Sequence, residues 1–326
     1  MHFQRTGDFI VSRSSRTRPH TRLIAATGVL VLTGLSLTAC GSDDSSDAGV
    51  GLDNVSISGD VGKAPKVSWK GQVDPKDIET DVITEGDGDT IESGDGALAH
   101  IWIGNGYTED EAYSSYESKA PQLLIGDVSE PFKKALEGQK VGSRVAVAAS
   151  AEDAFGEGGN PQLNIGNKDG IVFVVDVLAK VGDEPSGEER EPAKWAPSLV
   201  ETDGTITGFD FADANKPSKN LLDTTLVKGD GPVVKSGQTI AVNYLGQVYD
   251  AKKPFDESYS KDPTSFPIGV GSVVPGWDKE LVGKTVGSRV ILSIPPADGY
   301  GDKGNESAGI KGTDTLFFVV DILAAA

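Results

Sequence analysis

The stretch that decides the fold is Val242–Ser260, VNYLGQVYDAKKPFDESYS, followed by FPIGVGSVVPGWDKEL at 266–281, GYG at 299–301 and TLFFVVDIL at 315–323. Tyr244, Phe255, Phe266, Val273, Val274, Trp277, Tyr300 and Phe318 are aromatic or branched apolar residues, and Asp256 stands among them. Spaced between Gly and Asn turn signals, they are expected to converge on one small dry pocket. The β-rich runs Ile240–Val248, Arg289–Ile294 and Thr315–Ile322 read as strands. Trp277 and Leu281 lie i, i+4 apart with Gly283 beyond them, which reads as one short helix and its stop. The expected architecture is α+β: an antiparallel sheet wrapped around one short α-helix.

The chain contains this pattern twice. Val141-Gly142-Ser143-Arg144-Val145 recurs as Val286-Gly287-Ser288-Arg289-Val290, and Phe173-Val174-Val175-Asp176-Val177-Leu178 as Phe318-Val319-Val320-Asp321-Ile322-Leu323, both 145 positions on. Gly86-Asp87-Gly88 recurs as Gly229-Asp230-Gly231 at a slightly smaller offset. Two breaks frame the copies. Residues 41–62 are small and acidic, with the composition of a flexible tether, and residues 182–197 (GDEPSGEEREPAKWAP) have linker chemistry. The expected division is a leader over 1–39, a tether over 40–63, a first domain over 64–181, a linker over 182–197 and a second domain over 198–326.

The N-terminal stretch reads as a targeting segment. Arg13, Arg16, Arg18 and Arg22 precede the apolar run Leu23–Leu37, which is too short for a bilayer core of about 30 Å. Leu37-Thr38-Ala39-Cys40 follows and resembles a bacterial lipobox, in which the cysteine receives lipid. Cys40 is the chain's one cysteine, so no intramolecular disulfide is available and each domain relies on its core. A single acyl chain binds membranes only reversibly, whereas a diacylglyceryl group holds stably. The expected place is the extracytoplasmic face of the cell membrane, held by that lipid.

The whole chain carries 30 basic and 49 acidic side chains. Without residues 1–39, which hold five arginines and Asp8, 25 basic and 48 acidic remain. Such a chain repels phosphate backbones, which argues against nucleic acid as a partner and leaves lipid as the anchor. The spaced acids of GDGDTIESGD at 86–95 lack the twelve-position ligand pattern of a calcium loop, so no metal is assigned.

FDES, VPGWD, GYG and TLFFVVDIL, in this order and at this spacing, resemble the signature of FKBP-type peptidyl-prolyl cis-trans isomerases over about Leu222–Leu323. The whole chain is similar to tandem-domain, actinobacterial-like lipoproteins of that family. The resemblance implies two FKBP-like domains, no cofactor, and proline-containing polypeptides as substrates, with macrolide inhibitors as further ligands and a monomeric chain. It implies that Trp277 is the floor under the prolyl ring and that Tyr244, Phe266, Val273, Val274 and Phe318 are walls. Phe255 precedes Asp256 in the FD pair, and Ile310 lies on the flap. Asp256 and Tyr300 are the polar groups near the substrate carbonyl. Thr264 stands where many members carry a pocket aromatic, which weakens the expectation of tight macrolide binding.

That equipment suits one chemistry. Twisting an X–Pro amide breaks its resonance over a barrier of about 20 kcal/mol, and the twisted state is less polar than the planar one. A dry aromatic site favours it without nucleophile, metal or cofactor. All three histidines, His2, His20 and His100, lie outside the second copy. Reading the first copy against the second places Trp102 for Tyr244, Tyr113 for Asp256, Phe132 for Trp277 and Phe155 for Tyr300. The first copy is expected to keep the fold and to have lost the site, serving to hold substrate or to space the second. The reading from a different class is a non-catalytic chaperone that holds clients in two apolar grooves.

Overall fold

The computed structural model describes residues 50–118 and 120–326. The expectations for residues 1–39, for Cys40 and for the tether as far as Gly49 lie outside the described residues. The first copy comprises β1 (Val55–Ser58), β2 (Lys66–Trp69), β3 (Glu79–Thr84), β4 (Ala97–Asn105), β5 (Asp110–Ser114), β6 (Gln122–Leu124), α1 (Glu130–Leu136), β7 (Arg144–Ser150), α2 (Ala151–Phe155) and β8 (Gly170–Lys180). The second comprises β9 (Gly187–Glu189), β10 (Ser198–Thr202), β11 (Thr205–Asp210), β12 (Leu222–Gly229), β13 (Thr239–Val248), β14 (Asp256–Glu257), β15 (Thr264–Pro267), α3 (Pro275–Glu280), β16 (Arg289–Ile294) and β17 (Leu316–Ala325).

Each copy is built on one antiparallel sheet. The order is β3-β7-β8-β4-β5 with β6 also on β4, and β9-β12-β16-β17-β13-β14 with β15 also on β13. A short helix packs on one face of each. Pro131 and Pro275 open α1 and α3, where a missing N–H costs nothing. Gly283, at φ 93°, lets the chain turn away after α3. The first copy carries a second short helix, α2, in addition to the one expected.

The structure adds a third layer that the repeat did not announce. Along β17, Leu316, Phe318, Val320 and Ile322 face the helix, while Phe317 and Val319 face the β10–β11 hairpin through Ile206 and Phe209. The β1–β2 hairpin covers the first sheet in the same way, packing Val55 on Trp102, Ala148, Val172 and Val174. Both central strands are therefore buried on both faces, which explains near-continuous apolar runs where a half-covered strand would alternate.

Two segment assignments change as a result. Residues 50–63 belong to the fold: Val50 bridges Asp74, and β1 pairs with β2 from Val55↔Trp69 to Ser58↔Lys66. Acidic and glycine-rich composition masked the apolar alternation of Val55 and Ile57. The stretch 182–197 is likewise more than a linker. Gly187–Glu189 forms the edge strand beside β12, and Arg190 N–H donates to Leu226 O at 2.8 Å. Proline-rich flanks do not stop three residues between them from joining a ladder.

Each copy also holds a bidentate Arg–Asp ion pair on the hairpin side. Arg144 donates to Asp176 from Nε at 2.6 Å and Nη2 at 2.7 Å, with both side chains fully buried. Arg289 does the same to Asp321, at 2.6 and 2.7 Å. In the first copy the turn of the β1–β2 hairpin closes over the pair. Gly59 O accepts from Arg144 at 3.0 Å, and Gly62 N–H donates to Asp176 Oδ2 at 2.6 Å.

Candidate active site

Trp277, on α3, is fully buried and forms the base of an aromatic box. Three rings stand on it almost at right angles: Tyr244 at 5.5 Å and 84°, Phe266 at 5.5 Å and 88°, and Phe318 at 5.4 Å and 81° between ring centroids and planes. This is the edge-to-face geometry that aromatic quadrupoles favour. Phe255 continues the wall, edge-on to Phe318 at 5.6 Å and 86°. Val273, Val274 and Ile310 are buried in the same cluster, and Tyr300 packs against it half-buried.

Strand register brings these side chains together. Tyr244 lies opposite Val320 and Gly246 opposite Phe318, so Tyr244 and Phe318 share the helix-facing side of the sheet. Asp256 lies opposite Gly246 on the other side of β13. Phe266 is carried by β15 on the same strand.

The polar groups are fixed as tightly as the apolar ones. The Tyr244 hydroxyl donates to Asp256 Oδ2 at 2.6 Å, and the Glu257 N–H donates to Oδ1 at 3.0 Å. Ser258 locks the strand beneath: its Oγ accepts from Tyr244 N–H at 3.0 Å, and its own N–H donates to Tyr244 O at 2.9 Å. Burial pushes the Tyr300 hydroxyl above its ordinary range; the Asn305 side chain pulls the other way, and the charge on Asp256 adds to the rise. Tyr300 therefore keeps its proton at physiological pH and can donate a hydrogen bond. The arrangement offers a dry aromatic cup, one anchored carboxylate and one hydroxyl donor.

The described family of FKBP-type peptidyl-prolyl cis-trans isomerases matches residues 231–323, which hold all of these groups. An FK506-binding protein of Streptomyces anulatus is 38% identical over 110 residues, covering 33% of this chain and 89% of that one. FK506-binding protein 4 of Aspergillus oryzae is 34% identical over 142 residues, and there the match covers 44% of this chain and only 27% of the relative. Among solved structures, FkpA from Escherichia coli is 37% identical over 34% of this chain and 50% of its own, with a TM-score of 0.30.

The chain belongs to the FKBP-type peptidyl-prolyl cis-trans isomerase family.

Within this isomerase the first copy departs from the second at every polar position of the cup. One equivalence read from the sequence is corrected by the register. Val175 and Val320 are 145 positions apart; Ile101 pairs with the first and Tyr244 with the second, so Ile101 takes the place of Tyr244. Trp102 faces the hairpin instead, beside Trp69 at 6.4 Å, and its Nε1–H donates to Glu111 Oε2 at 2.5 Å. A slip of one residue moves a side chain to the opposite face of a sheet. Tyr113 does lie opposite Ile103 as Asp256 lies opposite Gly246. Phe132 and Phe155 surround Phe173 at 5.1 and 6.2 Å.

Two residues of the site escape a reading by residue type. Gly246 is the first: a methyl group there would meet Phe255 Cζ and Phe318 Cε1, both at 2.6 Å. Its place inside a strand is the sequence signal, since an interior glycine marks a close approach. The first copy has Ile103 at that position. Asn305, the partner of Tyr300, has no signal in the sequence beyond its turn-like neighbourhood.

Proposed function

We propose that Asp256 and Tyr300 are the catalytic pair of this isomerase, that the first copy is silent, and that the chain works on exported polypeptides while anchored by lipid on Cys40. The observation that carries the catalytic part is the cup itself: three rings on Trp277, with the Asp256 carboxylate held by the Tyr244 hydroxyl and the protonated Tyr300 hydroxyl at its edge. The prolyl ring packs against the rings that stand around Trp277, which itself has no exposed surface, and there, out of water, the less polar twisted amide gains relative to the planar one. Tyr300 donates to a substrate carbonyl and fixes its place. Asp256 sets a negative charge beside the reacting amide. The planar form, with its electron-rich oxygen, tolerates that charge less well than the twisted form, so the barrier falls. Apolar walls favour substrates with an apolar residue before proline.

The test of these roles is turnover of X–Pro peptides by the full chain, with kcat and KM separated. Tyr300→Phe removes one neutral donor and should lower kcat/KM by about 2- to 10-fold, mostly through KM. Asp256→Ala should lower kcat more than it raises KM. Unchanged kinetics in both variants would remove them from the mechanism and leave the aromatic cup as the whole catalyst.

The anchoring reading is supported by the basic, apolar and Leu-Thr-Ala-Cys order of residues 13–40. Cys40→Ser should leave the precursor unprocessed or shift the protein from the membrane fraction to the medium. Mass spectrometry finding an unmodified Cys40 thiol in a chain that still begins at Met1 would refute the anchor.

A further inference from the structure

The two copies share a core that belongs to neither. Leu98 and Val181 of the first copy and Ala241, Leu323 and Ala324 of the second form one apolar cluster, none of them more than 3% exposed. Gly182 N–H donates across it to Leu323 O at 3.1 Å. The contact is built from equivalent parts. Leu98 lies in register with Ala179 on β8, and Ala241 with Ala324 on β17, with Ala179 and Ala324 standing 145 positions apart. β6 of the first copy and β15 of the second, which occupy the same place beside β4 and β13, also lie against each other. Like strips thus face like strips, as across the two-fold axis of a symmetric dimer.

In the second copy that strip adjoins the cup. β15 carries Phe266, and within its own sheet β15 pairs only with β13. The residues leading into it, Lys261–Pro263, form no ladder. At this point the first copy comes close: a methyl group on Gly126 would sit 2.9 Å from Asp262 Oδ2 and 3.4 Å from its Cγ.

We propose that the first copy takes part in the reaction as a buttress: β6 and Gly126, held by the shared apolar cluster, position the Lys261–Phe266 rim and hence the Phe266 wall of the second copy's cup. Gly126 is then a positioning residue, acting through Asp262 on how substrate is gripped. The copy that lost its own site retains a task in its neighbour's. This rests on the cup as the substrate site.

A wedge tests it. Gly126→Ala, in the full-length protein, pushes the added methyl against Asp262. KM for an X–Pro peptide, measured by exchange NMR apart from kcat, should rise about fivefold, the scale on which touching residues couple. The kcat should stay within about twofold, because Tyr244, Asp256 and Tyr300 are untouched. Asp262→Ala in the Gly126→Ala background removes the atom struck and should restore KM. Leu98→Asp, which sets a charge in the shared cluster, should raise KM in the same way without any wedge. An unchanged KM in both Gly126→Ala and Leu98→Asp overturns the buttress. A rise in Gly126→Ala that Asp262→Ala fails to reverse also overturns it, since alanine at φ 73° strains the first copy by itself. An unmodified chain without isomerase activity would sink the proposed site and the buttress together, whereas an active chain indifferent to the wedge sinks only the buttress.

Discussion

Asp176→Ala should destabilise the first copy by about 3–5 kcal/mol, the usual cost of stranding a buried charge. The pair it breaks has no exposure on either side, and Arg144 has no route to water without opening the hairpin above it. After the change Arg144 keeps its bonds to the carbonyls of Gly59 and Lys63, but these are dipoles and leave the positive charge unbalanced. Gly62 N–H loses its acceptor as well, so the hairpin turn loosens along with the ion pair. Denaturant unfolding followed by tryptophan emission reads this directly, because Trp69 is carried by β2 of that hairpin and lies beside Trp102 beneath it. Arg144→Met with Asp176→Leu replaces both charges and should recover much of the loss, since two apolar side chains of similar volume remove the penalty at its source. The same cut in the second copy, Asp321→Ala, should cost less. Arg289 retains 23% side-chain exposure and reaches solvent, so its charge is not stranded. Equal losses at the two sites would show that hairpin closure adds nothing to the pair.

Much of this fold is legible in the chain, and the gaps have definite causes. Arg289–Ile294 is a strand in the sequence and in the structure, because a β-branched run between Gly287 and Pro295 leaves no other choice. The α3 helix was legible from Trp277, Leu281 and Gly283. The two covering hairpins were not, since VSIS and SLVET are short and at most half apolar. Their signal lay in their partner: large apolar residues at successive positions, Phe317 beside Phe318 and Val319 beside Val320, imply that both faces of β17 are covered. For the cup, the resemblance to the family, and no periodicity, named Trp277 as a floor with Tyr244, Phe266 and Phe318 as walls, and the structure brings those three rings edge-on to Trp277. Periodicity says nothing of which hydroxyl meets which carboxylate. Tyr244 was read as a wall alone, yet its hydroxyl holds Asp256. The misplacement of Trp102 has the simplest cause. Gly86 and Gly229 lie 143 positions apart, and that offset, carried into the next strand, already leads from Tyr244 to Ile101.

Gly246→Ile should abolish isomerase activity, with kcat/KM falling at least about 100-fold, the scale of loss when reacting groups are displaced by an ångström. The variant gives the second copy the residue that the first copy carries as Ile103. Even the Cβ would lie 2.6 Å from both Phe255 and Phe318, and the rest of the side chain reaches into the cup where the prolyl ring is to sit. Phe318 cannot retreat, because it is fully buried and Trp277 stands edge-on to it at 5.4 Å. Phe255 is half-buried and is the ring that yields, and it moves the chain leading into Asp256. Overpacking of this kind costs about 1–3 kcal/mol, which the domain can bear while its thermal midpoint falls. Should the isoleucine variant fail to fold, Gly246→Ala carries the same clash in its first atom and should still lower kcat/KM by about tenfold. The reverse change is equally informative. Ile103→Gly in the first copy opens space beside Phe173 but supplies neither carboxylate nor hydroxyl, since Tyr113 and Phe155 stand where Asp256 and Tyr300 do. Activity should therefore not appear in a chain whose second cup has been closed by Gly246→Ile. If it does appear, shape and dryness suffice for turnover, and the part given to Asp256 and Tyr300 passes to the aromatic walls.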